Sequence, residues 1–216
     1  MKIGIIGAGN AGKTLGSAFA RQGYHVMLGS RQPEKLADWL RLEDVNKKTI
    51  LVSTIHETAA FGDLLVHAIT GHGAIEALKM AGEENLRGKT LLDISLPINF
   101  TEGRISLFTS TGESLGERIQ TTFPEVKVVK AMNHIAAAVM VNPGIVANGD
   151  HDLFMCGNDA AAKQMVSALL KGAFGWKRIY DLGDLSAAQA TEGLALLATH
   201  VASALGHGMI NFKVAQ

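Results

Sequence analysis

A short apolar segment that leads directly into a glycine loop opens the chain and limits the folds it can adopt. Residues 2–6 read Lys-Ile-Gly-Ile-Ile, and Gly7, Gly9 and Gly12 follow with the spacing G-x-G-x-x-G. In this motif the first glycine allows a tight turn, the second lets a pyrophosphate approach the backbone, and the third lets the next helix pack closely. An ordinary glycine turn is the alternative interpretation. The motif predicts a dinucleotide site formed by Gly7, Ala8, Gly9, Asn10, Ala11 and Gly12.

Apolar, β-branched runs alternate along the rest of the chain with segments of helical periodicity, which is typical of an α/β domain with a parallel sheet. We predict strands near residues 2–6, 25–29, 50–53, 64–69, 89–94, 126–132, 153–157 and 177–181. We predict helices near residues 11–22, 33–41, 73–82, 113–122, 160–171 and 186–206. No linker or repeat divides the 216 residues, which suffice for one sizeable core. The prediction is one domain, 1–216, with 186–216 as a C-terminal helical extension.

The end of the second predicted strand indicates which dinucleotide is bound. A site for NAD usually places an Asp or Glu about 20 residues after the glycine motif, where it bonds the ribose hydroxyls. Here residues 28–31 read Leu-Gly-Ser-Arg, and the first carboxylate is Glu34. A hydroxyl and a guanidinium would instead bind a 2′-phosphate. We predict NADP(H), with its 2′-phosphate held by Ser30, Arg31 and Lys35; a solvated helix start is the alternative.

Composition excludes several other classes of protein. Twenty basic side chains balance twenty acidic ones, so no broad electrostatic attraction to nucleic acid or to an anionic membrane is expected. The single cysteine, Cys156, rules out an intrachain disulfide and an all-cysteine metal cage, and we expect a buried, inert thiol. The histidines show no ligand spacing, so no metal site is predicted.

Targeting signals are also not apparent in the sequence. The chain opens with no apolar stretch long enough for a signal peptide. Its most apolar late segment, 187–205, is interrupted by Gln189, Glu192 and His200, which makes it a poor membrane span. We therefore expect a cytoplasmic protein with no membrane or nucleic-acid partner.

Four blocks occur in order and carry a family resemblance: residues 7–12, residues 28–31, Val-Val-Lys-Ala-Met-Asn at 128–133 and Met-Cys-Gly-Asn-Asp at 155–159. With them the chain resembles the NADPH-dependent F-420 (deazaflavin) reductases, from about residue 2 to residue 213. It is also similar to the cytosolic reductase domain of the six-transmembrane epithelial ferric reductases. The resemblance implies a Rossmann-like, doubly wound, mostly parallel sheet with a C-terminal helix that pairs in a homodimer. It further implies NADP(H) and hydride exchange with a flavin-like ring.

Loops at further strand ends supply the remaining predicted cofactor contacts, because ligands of open parallel sheets gather at the carboxyl ends of the strands. By resemblance, Ile135 would press on one face of the nicotinamide and leave the other face to a planar acceptor. We predict that the cofactor site also includes Ile69, Thr70, Gly71, Ile75, Ser95, Pro97, Asn133, Ile135 and Ala136.

No constellation of acid, base and nucleophile emerges, which fits hydride transfer between two ring cofactors. His72 and His134 are weak candidates for a catalytic role, and ordinary polar loop residues are the alternative. Asp93 lies inside an apolar strand, where it either pairs its charge near the site or caps backbone groups at the strand end.

The last predicted helix carries an apolar stripe that either packs on its own sheet or pairs with a second copy. Its members share helical spacing of three and four: Leu194, Leu197, Ala198, Val201 and Leu205. The glycine-punctuated segment 206–209 that follows could approach a second substrate.

We therefore predict an NADP(H)-dependent oxidoreductase that transfers a hydride between NADPH and a small planar acceptor, namely F-420, a flavin or a similar ring. One alternative is an NADPH-sensing module without turnover. Another is an imine reductase of the pyrroline-carboxylate type, although about 30 residues after the last predicted strand are few for the long helical domain of such enzymes.

Overall fold

The computed structural model describes residues 1–42, 49–101 and 104–216, in which strands and helices alternate. The strands are β1 (Lys2–Ile6), β2 (His25–Ser30), β3 (Ile50–Thr54), β4 (Leu64–His67), β5 (Thr90–Asp93), β6 (Ile98–Thr101), β7 (Arg104–Leu107), β8 (Lys127–Ala131), β9 (Asp152–Gly157) and β10 (Arg178–Asp181). The helices are α1 (Asn10–Arg21), α2 (Ala37–Leu42), α3 (Ile55–Phe61), α4 (Ala74–Ala81), α5 (Glu83–Leu86), α6 (Leu115–Thr122), α7 (Ala137–Val141), α8 (Ala160–Phe174) and α9 (Ala188–Leu205).

The main sheet has the strand order β10-β9-β8-β5-β4-β1-β2-β3. All neighbouring strands are parallel except β8 and β9, which are antiparallel. From β1 the chain winds outward through β2 and β3 and then returns to β4 on the other side of β1, so the winding direction reverses between β1 and β4. This is the predicted Rossmann-like, doubly wound, mostly parallel sheet with a C-terminal helix. Such a reversal leaves a crevice at the carboxyl ends of the strands, where ligands bind.

Helices cover both faces of the sheet and explain why its strands are apolar on both sides. On one face Phe19 of α1 and Leu170 of α8 pack in a cluster with Val129 of β8. On the other face Ile55 of α3 and Ile119 of α6 pack in a second cluster with strand residues. Every residue of β4 and β5 is buried, as expected for central parallel strands.

All eight predicted strands are present, but the sequence interpretation missed the antiparallel hairpin β6–β7 and the helices α3, α5 and α7. These helices have seven, four and five residues, which is too short for a clear periodicity. The start of α3 was nevertheless readable, since Thr54 and Glu57 form a capping box. The helix predicted at 33–41 is a 3₁₀ turn, Pro33–Leu36, followed by α2.

The prediction of a helical extension over 186–216 is wrong for its last part. Helix α9 ends at Leu205 because Gly206 adopts a left-handed conformation with φ 73°. The tail after it folds back on the sheet, where the Asp152 N–H donates to the Phe212 carbonyl at 2.9 Å. None of the helices in the described ranges combines the length and apolarity needed to cross a bilayer.

Candidate functional site

The glycine loop after β1 leaves an open cradle at the start of α1. A Cβ on Gly12 would lie 1.9 Å from the Gly7 oxygen, and Gly7 itself has φ +118°, so both positions require glycine. A Cβ on Gly9 would instead meet nothing within 4 Å. Gly9 is the N-cap of α1 and no side chain caps the helix there. The first N–H groups of α1 therefore face a free surface that suits an anion.

The end of β2 places its polar groups at the same edge of the sheet. The Gly7 N–H donates to the Gly29 carbonyl at 3.1 Å, which joins the glycine loop to the end of β2. Next to Gly29, the hydroxyl of Ser30 accepts from the Gln32 N–H at 3.1 Å. Arg31 and Lys35 are exposed. Two exposed cations thus follow the end of β2, and the first carboxylate after the strand is Glu34, which is also exposed.

A cleft of about 480 Å³, here called the switch-point cleft, lies at the carboxyl ends of β1, β4, β5 and β8. Eight predicted cofactor residues line it: Asn10, Ala11, Ile69, Thr70, Gly71, Ser95, Asn133 and Ile135. The sequence interpretation did not include its other lining residues: Ala68, Ile94, Leu96, Ile98, Phe100, Ala137 and Met140. Ile98 and Phe100 belong to the hairpin, which local periodicity did not reveal.

A second cavity of about 250 Å³, here called the C-terminal cavity, adjoins the first. Leu96, Asn133 and Ile135 line both cavities. Its other lining residues come from the segment after β8, from α9 and from the tail: His134, Ala136, Ala195, Ala198, Thr199, Ala202, Gly208 and Ile210. The tail therefore forms a wall of a cavity, next to the cleft.

Several predicted residues have other positions. His72 lines neither cavity; its Nε2 contacts Asn99 Oδ1 and its ring stacks on Phe108 at 4.2 Å between centroids. Ile75 of α4 packs against the core, and Pro97 is buried beside Gly71. A Cβ on Gly71 would lie 2.2 Å from the Leu96 oxygen, so this glycine is needed where two loops meet.

Two buried polar atoms at the cleft have no hydrogen-bond partner among the described residues. They are the hydroxyl of Ser95 and the side-chain oxygen of Asn133. Both residues are only 3% exposed, and a buried polar atom without a partner costs free energy. Met132, directly before Asn133, has φ +60°, a conformation that side chains other than glycine rarely adopt and that often marks functional sites. Two unpartnered polar groups thus belong to residues that line the cleft.

His134 lines the C-terminal cavity as a neutral imidazole. Burial lowers its pKa to about 4, and the nearby Asn211 side chain opposes that shift only in part. Neither ring nitrogen bonds to another described residue. At neutral pH the ring can therefore donate one hydrogen bond and accept another, but it carries no proton that it could release as an imidazolium.

Asp93 belongs to a buried charge cluster, of which the sequence analysis identified Asp93 alone. Lys130 Nζ lies 2.8 Å from Asp93 and 3.0 Å from Glu192, and all three side chains are fully buried. His67 Nδ1 lies 2.8 Å from Asp93 Oδ1, which also accepts the Ser95 N–H at 3.1 Å. Both interpretations of Asp93 apply, since its carboxylate pairs with Lys130 and also accepts a backbone N–H at the strand end. The other members could not be recognised from their sequence positions.

Asp93 and Lys130 keep their charges in this cluster. Burial alone would raise the pKa of Asp93, but Lys130 and His67 hold it well below its usual range. Burial alone would lower the pKa of Lys130, but the two carboxylates raise it. Glu192 in addition accepts the backbone N–H groups of Leu115 and Gly116 at the start of α6. The excess carboxylate charge is therefore met by the positive end of a helix.

The remaining candidate group is inert. Cys156 is fully buried, as predicted, and burial raises the pKa of its thiol to about 12. A thiol in this state is a poor nucleophile. No group of three or more His, Cys, Asp or Glu side chains in the described ranges could hold a metal ion.

Comparison with known proteins places the chain among reductases. Residues 2–97 match the family model described as NADP oxidoreductase, coenzyme F420-dependent. The chain is 29% identical over 211 residues to the F420-dependent NADP reductase of Methanocaldococcus jannaschii, covering 91% of this chain and 90% of that protein. It is 28% identical to metalloreductase STEAP3 of Rattus norvegicus over 90% of its own length, but it spans only 36% of that protein.

Solved structures agree with the sequence matches. A candidate F420-dependent NADP reductase from Arthrobacter sp. FB24 is 41% identical, with a TM-score of 0.94 and full coverage of both chains. An imine reductase from Myxococcus stipitatus has a TM-score of 0.66 at 18% identity and covers 95% of this chain and 63% of that one. At that identity the second match shows a common fold alone.

Proposed function

Because the chain belongs to the family of coenzyme F420-dependent NADP oxidoreductases, we propose that it transfers a hydride between NADPH and a planar, flavin-like acceptor. The acceptor is the deazaflavin F-420, a flavin or a similar ring. One observation carries this proposal: the switch-point cleft and the C-terminal cavity meet at Leu96, Asn133 and Ile135. A cofactor in the first and an acceptor ring in the second would lie side by side.

The adenosine half of the cofactor would bind at the glycine loop and the end of β2. The open surface at Gly9 and the free N–H groups of α1 suit the pyrophosphate. Ser30, Arg31 and Lys35 suit the 2′-phosphate, which carries up to about two negative charges. Each charge-assisted hydrogen bond to it contributes about 1.5–3 kcal/mol.

The nicotinamide half would occupy the switch-point cleft. The unpartnered oxygens of Ser95 and Asn133 can accept hydrogen bonds there, and the Ser95 hydroxyl can also donate one. Ile135, an apolar residue on the wall between the two cavities, would fix one ring face. The bound nicotinamide supplies the hydride, and the chain supplies position and exclusion of water.

The acceptor ring would occupy the C-terminal cavity. Its volume of about 250 Å³ is below the usual 300–1,000 Å³ of pockets for whole drug-sized ligands, so it suits the reacting ring alone. The wall is largely apolar, formed by alanines of α9 together with Ile210. Neutral His134 can donate a hydrogen bond to a carbonyl or ring nitrogen of the acceptor. It serves as a positioning contact in this scheme.

We also propose that the protein is a cytoplasmic homodimer that pairs through α9. Leu197 and Leu205 on the predicted apolar stripe are 51% and 56% exposed, although Ala198 is buried. The part of the stripe around Leu197 and Leu205 therefore remains available to a second copy.

The test is oxidation of NADPH, followed at its absorbance band, with flavin, deazaflavin, a ferric chelate and a quinone assayed in parallel. We expect turnover with at least one planar ring acceptor. Firm NADPH binding without turnover on any of the four would overturn the proposal and favour a sensing module. Turnover with the ferric chelate alone would contradict the proposed ring acceptor.

A further inference from the structure

The buried charge cluster of Lys130, Asp93, Glu192 and His67 adjoins the switch-point cleft but has no part in the function proposed above. The two cleft-lining residues with an unpartnered oxygen among the described residues, Ser95 and Asn133, are each joined to this cluster or to its immediate neighbour. The cluster thus connects to both polar walls of one site.

On the first wall, the backbone of Ser95 is held at both of its polar groups. Its N–H donates to Asp93 Oδ1 at 3.1 Å, and its carbonyl accepts from Lys130 Nζ at 2.6 Å. Lys130 also bonds the other oxygen of the same Asp93 carboxylate at 2.8 Å. With both backbone groups fixed, Ser95 has a defined position in the lining of the cleft.

On the second wall, the connection passes through α9. Lys130 bonds Glu192 of that helix at 3.0 Å. The preceding residue, Thr191, accepts the side-chain N–H of Asn133 through its carbonyl at 2.9 Å. This bond uses one end of the Asn133 amide and leaves its oxygen free at the cleft. The contact between Lys130 and Glu192 therefore fixes α9 relative to β8, next to the residue of α9 that bonds Asn133.

We propose that Lys130 is a positioning residue that aligns Ser95 and Asn133 for the nicotinamide half of the cofactor. The inference rests on the proposed function, since it requires NADP(H) in the switch-point cleft. Lys130 itself lines neither cavity, so its effect passes through the residues that it holds.

A purely stabilising role explains the cluster less well. Buried ion pairs can often be replaced by apolar side chains of similar volume without loss of stability, because removing charges from water is costly. Here one ammonium holds two carboxylates and a carbonyl from three different segments. Such directional bonds fix the positions of the three segments relative to one another. An apolar contact of the same size has no preferred direction and would leave them more freedom.

The experiment compares two probes by calorimetry on the full chain: NADP⁺ and adenosine 2′,5′-bisphosphate, which contains the adenosine half alone. The dissociation constant of adenosine 2′,5′-bisphosphate divided by that of NADP⁺ measures what the nicotinamide half contributes. In Lys130→Met we expect this ratio to fall about tenfold, the value of roughly one hydrogen bond, while the bisphosphate binds as in the wild type. Lys130→Arg should show a smaller fall, because a planar guanidinium keeps the charge but not the geometry.

Lys163→Met is the matched control. Lys163 is also nearly buried and bonds a carboxylate, Asp181, and a carbonyl, that of Gly183, each at 2.8 Å, but it lines neither cavity. Its replacement should lower stability and leave the ratio unchanged. Should Lys130→Met fail to fold, Lys130→Arg and Glu192→Gln take its place, with the same expected direction.

The outcomes separate the two proposals. A wild-type protein that binds neither probe overturns the proposed function and this inference with it. A wild type that binds both, with variants at Lys130 and Glu192 that keep the wild-type ratio, overturns the inference alone. An equal fall in Lys163→Met would also overturn it, because the effect would then follow from general destabilisation.

Discussion

The side-chain amide of Asn133 donates to the backbone carbonyl of Thr191 at 2.9 Å, and this bond ties the wall of the switch-point cleft to helix α9. Ala195, Ala198 and Ala202 of the same helix line the C-terminal cavity. The two proposed binding sites therefore share a common support, so a displacement of α9 would change both.

Replacing Arg31 with alanine should weaken NADPH binding about tenfold or more and leave NADH binding nearly unchanged. The variant lacks the guanidinium and therefore its charge-assisted hydrogen bonds to the 2′-phosphate, a group that NADH does not carry. Calorimetry with both nucleotides measures the change. Arg41→Ala is the control, since Arg41 is an exposed arginine that pairs with Asp38. An unchanged preference in Arg31→Ala would remove the assignment of NADP(H).

Replacing two glycines of the same loop with alanine should affect stability and NADPH affinity differently. At Gly9 a Cβ meets no protein atom, so Gly9→Ala should keep its melting temperature and lose NADPH affinity. At Gly12 a Cβ would lie 1.9 Å from the Gly7 oxygen, so Gly12→Ala should lose about 1–3 kcal/mol of stability. Thermal unfolding and calorimetry together distinguish them. Normal NADPH affinity in Gly9→Ala would contradict a pyrophosphate at this surface.

Filling the C-terminal cavity should weaken binding of the acceptor and leave binding of the cofactor nearly unchanged. Ala202→Leu adds volume to its wall, so the KM for the acceptor should rise about tenfold or more, because about one to three kcal/mol of overpacking opposes its binding. The dissociation constant for NADPH should stay within about twofold. Ala190→Leu, at an exposed position of α9, is the control. Steady-state kinetics with the acceptor found active provides the measurement, and equal KM values in both variants would exclude this cavity.

The pH dependence of stability should include a contribution from His134. Its pKa is about 4 in the folded protein, whereas that of an unfolded histidine is about 6.5. Between these values only the unfolded chain takes up the proton, so the free energy of unfolding falls as the pH drops from about 6.5 to about 4. The full loss is about 3–4 kcal/mol.

Denaturant unfolding at several pH values measures this loss, and His134→Asn should lose less stability than the wild type over the range. His72→Gln serves as control because His72 is exposed. Parallel curves for the wild type and His134→Asn would show that the pKa of His134 is the same in the folded and the unfolded protein.

Glutamate at Leu197 and Leu205 should convert a dimer to a monomer. Two charges placed on an apolar interface leave carboxylates without partners, which costs several kcal/mol. Sedimentation velocity measures the mass of each variant. Leu42→Glu, at another exposed leucine outside α9, should keep the wild-type mass. A monomeric wild type would be incompatible with pairing through α9.

The elements that sequence reasoning recovered are those specified by neighbouring residues. The turn at Gly7–Gly12, for example, depends on spacing within a few positions. The alternation of strands and helices also predicted a parallel sheet, whereas the order of its strands and the antiparallel pairing of β8 with β9 came from the tertiary structure. The hairpin at Ile98–Leu107 was missed because its strands of four residues give no clear alternation.

What the sequence determined by itself is the class of ligand, because the glycine spacing and the missing carboxylate at the end of β2 act through local backbone geometry and charge. The tertiary structure alone decided which polar side chains line the proposed binding cleft and what holds them there. Lys130, Asp93 and Glu192 meet only once β5, β8 and α9 are packed together. A buried charge is stable only with its partners in place, and no periodicity along the chain reveals which distant side chains supply them.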